Sequence, residues 1–160
     1  MIQDKRIKRL NRESQRQGAY VLYWMQASQR AEFNHALEYA IARANIIKQP
    51  LVVFFGLTGD YPRANLRHYL FMLEGLREVQ ATLEERGIRL LVRAVSPEKG
   101  VLDLSRDASL VVVDRGYARL QRKWRRLAAT ALECPLIQVE SDVVVPVEVA
   151  SPKEEYAAAT

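Results

Sequence analysis

Five short apolar runs, at 20–25, 51–55, 88–92, 110–113 and 136–139, alternate with helix-length segments, and this alternation limits the fold more than any other feature. The runs are nearly continuous in Val, Leu, Ile and aromatics rather than alternating with polar residues. Strands covered on both faces read this way, as in a parallel sheet. The segments between them carry the helical period. Phe33, Leu37, Ile41, Ala44 and Ile47 recur at three and four, as do Leu66, Leu70, Leu73, Leu76 and Leu83, which end at Gly87. Ser96 and Pro97 open a shorter helix, and Leu120, Trp124, Leu127, Ala128 and Ala131 mark a fourth. Strand and helix in unbroken alternation predict an α/β fold. It should be a doubly wound, Rossmann-like, five-stranded parallel sheet of order 3-2-1-4-5.

The chain has 160 residues, enough for one domain, and 49% of them are hydrophobic. Residues 1–18 are polar and basic, with Ile7 and Leu10 to bury, and read as an arm; 19–150 form the α/β domain. The run 143–149 contains Pro146, which favours an edge strand or a crossing loop. At 151–160 a capping box, Ser151-Pro152-Lys153-Glu154, announces a helix and is expected to begin a linker to a further domain. One cysteine, Cys134, and two distant histidines, His35 and His68, argue against a disulfide framework or a zinc site. No run approaches the roughly 20 apolar residues of a membrane span, and the basic N-terminus lacks a signal peptide's apolar centre. A cytoplasmic protein without metal or membrane partner is the expectation.

The first strand is followed by no glycine-rich turn, so neither a dinucleotide nor a P-loop phosphate grip is expected. Ligands of open parallel sheets lie outside the carboxyl ends of the strands. Those ends bring Trp24, Met25, Gln26, Phe55, Gly56, Asp114, Arg115 and Tyr117 forward as a candidate binding site. Such a surface, flat and aromatic with a polar rim, suits a planar heteroaromatic ligand. Residue type alone favours Trp24 and Phe55 as core, since large aromatics usually pack inside. His35 reads as a half-buried histidine with a backbone partner, and Cys134 as an inert small hydrophobe. Arg119, Arg122 and Arg126 share one helix face. They fit either a phosphate-contacting stripe or a solvated face, and the lack of an accompanying aromatic platform favours the latter.

Tyr23-Trp24-Met25-Gln26, followed by Gln29-Arg30, Asn34 and Ala36-Leu37, resembles the opening of class II cyclobutane pyrimidine dimer photolyases. The likeness continues through the segments 50–58 and 67–76, resumes at Asp114, Arg119 and Trp124, and returns at Val144-Val145-Pro146, Ala150-Ser151 and 155–158. It covers nearly the whole chain from Tyr20. The resemblance implies an N-terminal α/β domain that carries an optional antenna chromophore, a deazaflavin or a folate. It also implies a helical C-terminal domain that binds FAD and flipped-out pyrimidine dimers in DNA. That second domain would supply the photo-lyase activity, and this segment alone would be inert.

Three departures accompany the likeness. His35 stands where the family usually has Trp, Arg115-Gly116-Tyr117-Ala118 replaces Phe-Ser-Pro-Leu, and Glu140-Ser141-Asp142-Val143 replaces Asp-Ala-His-Asn. An antenna is expected to touch Trp24, Met25, Gly56 and the 115–117 turn. Arg115 would either donate to a ring oxygen or fill the space and exclude the chromophore. The alternative is a stand-alone α/β module for a small planar or nucleotide ligand.

Overall fold

The computed structural model describes residues 2–151. The capping box after Ser151 and the family-like residues at 155–158 lie outside that range. A single 3-10 turn, Asp4–Arg6, precedes β1 (Ile7–Arg9). Then follow β2 (Tyr20–Trp24), α1 (His35–Ile47), β3 (Leu51–Gly56), α2 (Leu66–Glu85), β4 (Arg89–Arg93) and α3 (Pro97–Ser105). The chain continues through β5 (Ala108–Asp114), α4 (Arg119–Ala131), β6 (Leu136–Val139) and α5 (Val147–Ala150).

Across the sheet the strands run β1-β6-β5-β2-β3-β4. β2 to β6 pair in parallel, while β1 lies antiparallel to β6. The expected five-stranded, wholly parallel sheet is therefore corrected to a mixed six-stranded one. The extra strand comes from the segment read as an arm. Its few apolar residues hid a backbone role. Glu140 donates its N–H to the Arg6 carbonyl, Leu10 donates to Leu136, and the Asn11 side chain bonds both Cys134 and Leu136. Arg6 is buried, its guanidinium donating to the carbonyls of Glu140, Val143 and Val144. A charge taken from water is tolerated only with such partners. The arm thus covers a sheet edge that would otherwise expose unpaired amides.

The two sheet faces follow the period of two within each strand. Val21, Tyr23, Met25, Val53, Phe55, Leu110 and Val112 join one core with Ala36, Leu37 and Ala40 of α1 and Leu76, Val79 and Leu83 of α2. Leu22, Trp24, Phe54, Val111 and Val113 join the other, with Val101 and Leu104 of α3 and Trp124 and Ala128 of α4. Helix ends follow their local chemistry. The Asn34 side chain accepts from Leu37 N–H at the start of α1, and Gly87 ends α2 at φ 69°.

The helix stripes are narrower than their sequence period predicts. α1 begins at His35, which leaves Phe33 at φ 50° and 91% exposed instead of in the core. A non-glycine residue in that conformation costs roughly 1–2 kcal/mol. In α2, Leu66, Leu70 and Leu73 are exposed, and full burial begins at Leu76. The run 143–149 forms no strand; after Pro146 it closes into the single turn of α5.

Candidate functional site

The strand order reverses between β2 and β5, the usual place for an anionic ligand in an open parallel sheet. Here the chain fills that place itself. The Asp114 carboxylate, at the end of β5, accepts from the backbone N–H groups of Gln26, Ala27 and Ser28 at 2.9–3.0 Å. The Tyr23 hydroxyl lies 3.3 Å away. Converging amides that would bind a phosphate elsewhere are thus occupied by a buried side chain. Burial pushes the Asp114 carboxyl above its ordinary range, and the three amides pull the other way. Asn34 extends the network. Its amide donates to Tyr23, Ser28 and Arg30 oxygens, which fixes the loop between β2 and α1.

One strand further along, a cleft of about 490 Å³ opens over the ends of β2 and β3. Gln26 closes its floor. Its side-chain amide donates to the Gly56 carbonyl at 3.0 Å and accepts from Gly56 N–H and the Trp24 indole, each at 3.2 Å. This adds a side-chain rung to the parallel ladder just beyond its last backbone pair. Phe55 lies beside it. One wall is the loop 57–64 with His68, Tyr69, Phe71 and Met72 of α2, and the other is Gln121 and Trp124 of α4. The loop is pinned by Tyr69, whose hydroxyl donates to the Thr58 carbonyl and accepts from Tyr61 N–H. Tyr61 packs at a tilt against Trp124, ring centroids 6.3 Å apart. The lining is mostly aromatic and apolar, with amide, imidazole and guanidinium donors from Gln29, Gln121, His68 and Arg63, and contains no carboxylate. It can hold a flat ring system and offer hydrogen bonds at its edge. It offers no acid–base pair.

The eight residues that sequence reasoning gathered divide three ways. Gln26, Phe55 and Gly56 line this cleft. Trp24 and Met25 are core, and Asp114 is the buried staple. Arg115 and Tyr117 face a separate cleft on the other side of α4. Arg115 pairs with Glu140 and Glu148 at 3.3 Å each, and Tyr117 donates its hydroxyl to Glu140. Arg115 is therefore neither a donor to a ring in the first cleft nor a plug within it. Gly56 is small for a different reason than ligand access: a Cβ there would lie 2.6 Å from the Pro97 backbone, where α3 begins. Tyr61, His68, Phe71, Met72 and Trp124 were not singled out as a site. The signal was present in α2, whose opening Leu66, Tyr69, Leu70, Phe71, Met72 and Leu73 exceed what one buried face needs.

Of the other candidates, His35 is half-buried. Its Nδ1 has no hydrogen-bond partner among the described residues; burial and the nearby Arg6 lower its pKa, against a backbone hydrogen bond to Ser141 that raises it. Cys134 is buried, and desolvation raises its thiol pKa, as expected of an inert cysteine.

The profile of the DNA photolyase family matches residues 21–160. The chain belongs to the DNA photolyase family. It is 56% identical over 161 residues to the deoxyribodipyrimidine photo-lyase of Methanothermobacter thermautotrophicus, a match covering 100% of this chain and 36% of that protein. The corresponding Potorous tridactylus protein is 35% identical over 151 residues, which cover 91% of this chain and 28% of the relative. The chain thus spans about a third of the length of these curated relatives. Among solved structures, a class III photolyase from Agrobacterium tumefaciens aligns with a TM-score of 0.61 at 20% identity, over 89% of this chain and 31% of that one. A universal stress protein from Archaeoglobus fulgidus, in complex with dAMP, aligns with a TM-score of 0.51 at 19% identity, over 76% of this chain and 98% of that one. Both likenesses are to the fold. No helix among the described residues of this photolyase-family chain is long and apolar enough to cross a membrane.

Proposed function

We propose that this chain is the antenna-chromophore domain of a cytoplasmic deoxyribodipyrimidine photo-lyase of the class II type. Light-driven splitting of pyrimidine dimers in DNA then belongs to a FAD-binding domain elsewhere in a longer protein. The observation that carries the reading is the aromatic cleft at the ends of β2 and β3, in a chain of this family. Its volume of about 490 Å³ falls within the roughly 300–1,000 Å³ of small-molecule sites. A deazaflavin or folate ring fits the chemistry of its walls. Phe55, Tyr61, Met72 and Trp124 would hold the faces of the ring, while Gln29, His68 and Gln121 would meet its edge. When bound, the chromophore supplies light absorption and passes excitation to the flavin. This chain's own part is to bind it, orient it and exclude water from its faces. The class II assignment rests on the Tyr23-Trp24-Met25-Gln26 opening and the Gln29-Arg30 and Asn34 that follow. In this structure Gln26 closes the cleft floor, Gln29 lines the cleft, and Asn34 fixes the loop between β2 and α1.

The test separates the two parts of the photo-lyase. Illuminated with dimer-containing DNA and added reduced FAD, the 160-residue chain should leave dimers intact. Joined to the remaining two-thirds found in its relatives, it should restore thymine absorbance. Catalytic repair by the chain alone would contradict the division of labour. A stand-alone nucleotide-binding module is the alternative. It lacks support at the switch point, where Asp114 already occupies the amides a phosphate would need.

A further inference from the structure

Two clefts flank α4, and they share no lining residue. Gln121 and Trp124 face the aromatic one, while Arg122, Arg125 and Arg126 face a second, of about 730 Å³, bounded by β1, β6 and α5. Lys8 and Arg115 complete its basic lining. Its one acidic lining residue, Glu148, is already paired with both of them. The side chains of Arg122, Arg125 and Arg126 make no hydrogen bond or ion pair among the described residues. All three line one cleft, and no carboxylate among the described residues is ion-paired with any of them. Arg125 is partly withdrawn from water; burial lowers its pKa, and the nearby Asp114 charge opposes that shift. Like charges gathered in one cleft draw in an anion, the more so where one is partly buried.

The sequence alone favoured a solvated arginine face because no aromatic platform accompanied the charges. The fold supplies one. Tyr117, from the β5–α4 turn, lines the same cleft and is 42% exposed. Its hydroxyl is anchored on Glu140, and the Arg115 guanidinium lies over one face of its ring, 5.5 Å from the centroid, which leaves the other face for a base. Arg122 and Arg126 are one turn apart, about 6 Å along the helix, so their planar forks can meet successive anionic groups. A cationic groove with an aromatic face beside it is the pattern that holds single strands, with backbone in the groove and base on the ring.

We propose that this cleft binds single-stranded nucleic acid, with Arg122, Arg125 and Arg126 holding phosphodiester groups and Tyr117 stacking on a base. This site is separate from the chromophore cleft, so either assignment can fail without the other.

The test is fluorescence anisotropy of a short dye-labelled oligothymidylate with the purified chain. Contacts to about three phosphates weaken binding roughly twentyfold for a fourfold rise in salt. Reversing both exposed arginines, Arg122→Glu with Arg126→Glu, should lower affinity at least tenfold and flatten that salt dependence. Arg67→Glu with Arg77→Glu on α2 makes the same charge change elsewhere and should lower it less than threefold. Tyr117→Leu should weaken binding severalfold while leaving the salt slope unchanged. All variants should keep the wild-type circular dichroism spectrum. The proposal is overturned if the oligonucleotide does not bind, or if the α2 pair loses as much as the α4 pair. It is also overturned if Tyr117→Leu binds like wild type, or if oligoglutamate or inorganic phosphate displaces the strand at matched charge concentration.

Discussion

Replacing Gln26 with Leu removes the amide that ties β2 to β3 at the floor of the chromophore cleft, with little change in side-chain volume. Three polar groups lose their partner: the Trp24 indole N–H, the Gly56 N–H and the Gly56 carbonyl. A buried donor left without an acceptor costs about 1–3 kcal/mol. Trp24 is 1% exposed, so its indole bears that cost nearly in full. The Gly56 groups border the cleft, where water can partly replace the amide, and about 0.5 kcal/mol each is a fair figure. The sum is about 2–4 kcal/mol. For a chain of this size that corresponds to a fall in Tm of roughly 9 °C. Urea denaturation followed by circular dichroism should show the midpoint fall at constant slope. Trp24→Phe removes the indole donor from the other side. The two changes together should therefore cost about 1 kcal/mol less than their sum. A Gln26→Leu variant within about 0.5 kcal/mol of wild type, or a strictly additive pair, would refute the rung.

Other outcomes follow from the same geometry. Gly56→Ala drives a Cβ to 2.6 Å from the Pro97 backbone and should destabilise by about 2 kcal/mol in a thermal melt; an unchanged Tm contradicts the packing. Arg115→Met leaves the Glu140 side chain, 2% exposed, without its cation. That should cost about 2–3 kcal/mol in urea denaturation, with no loss of chromophore binding in an absorbance titration. Asp114 gives a pH signature. Because burial raises its folded pKa, its stabilising contribution is complete below the unfolded value near pH 4 and is lost as pH rises through the folded one. Wild type should therefore lose stability relative to Asp114→Asn as pH rises above about 4 in urea melts. A relative gain over that rise would reverse the sign.

The alternation of apolar runs and helical periods was enough to read the α/β class, and the two-sided burial of β2, β3 and β5 explains why. What composition could not reveal was backbone pairing. β1 has only three residues, and its neighbours Arg6 and Asn11 act through hydrogen bonds to β6 and the segments beside it, so no hydrophobic pattern marks it. The site was legible in part. Strand ends can be located from sequence, and Gln26, Phe55 and Gly56 at those ends line the aromatic cleft. Which way a loop turns afterwards cannot be located so. Arg115 and Tyr117 follow β5 by one and three residues, yet Glu140 and Glu148 draw them to the far side of α4. Trp124 shows the reverse case. It reads as one member of a helix stripe, and its position against Tyr61 makes it a wall of the cleft.

The most direct test of the antenna reading is a titration of the 160-residue chain with a deazaflavin and with a folate, followed by chromophore fluorescence. Wild type and Met72→Arg are compared; Met72 is a half-buried wall of the cleft that also packs against the core beside it. One of the two ligands should bind saturably at one site per chain, and Met72→Arg should weaken it at least tenfold while keeping the wild-type circular dichroism spectrum. Saturable binding that Met72→Arg leaves unchanged, or no binding of either chromophore to the folded wild type, would contradict the assignment of this cleft.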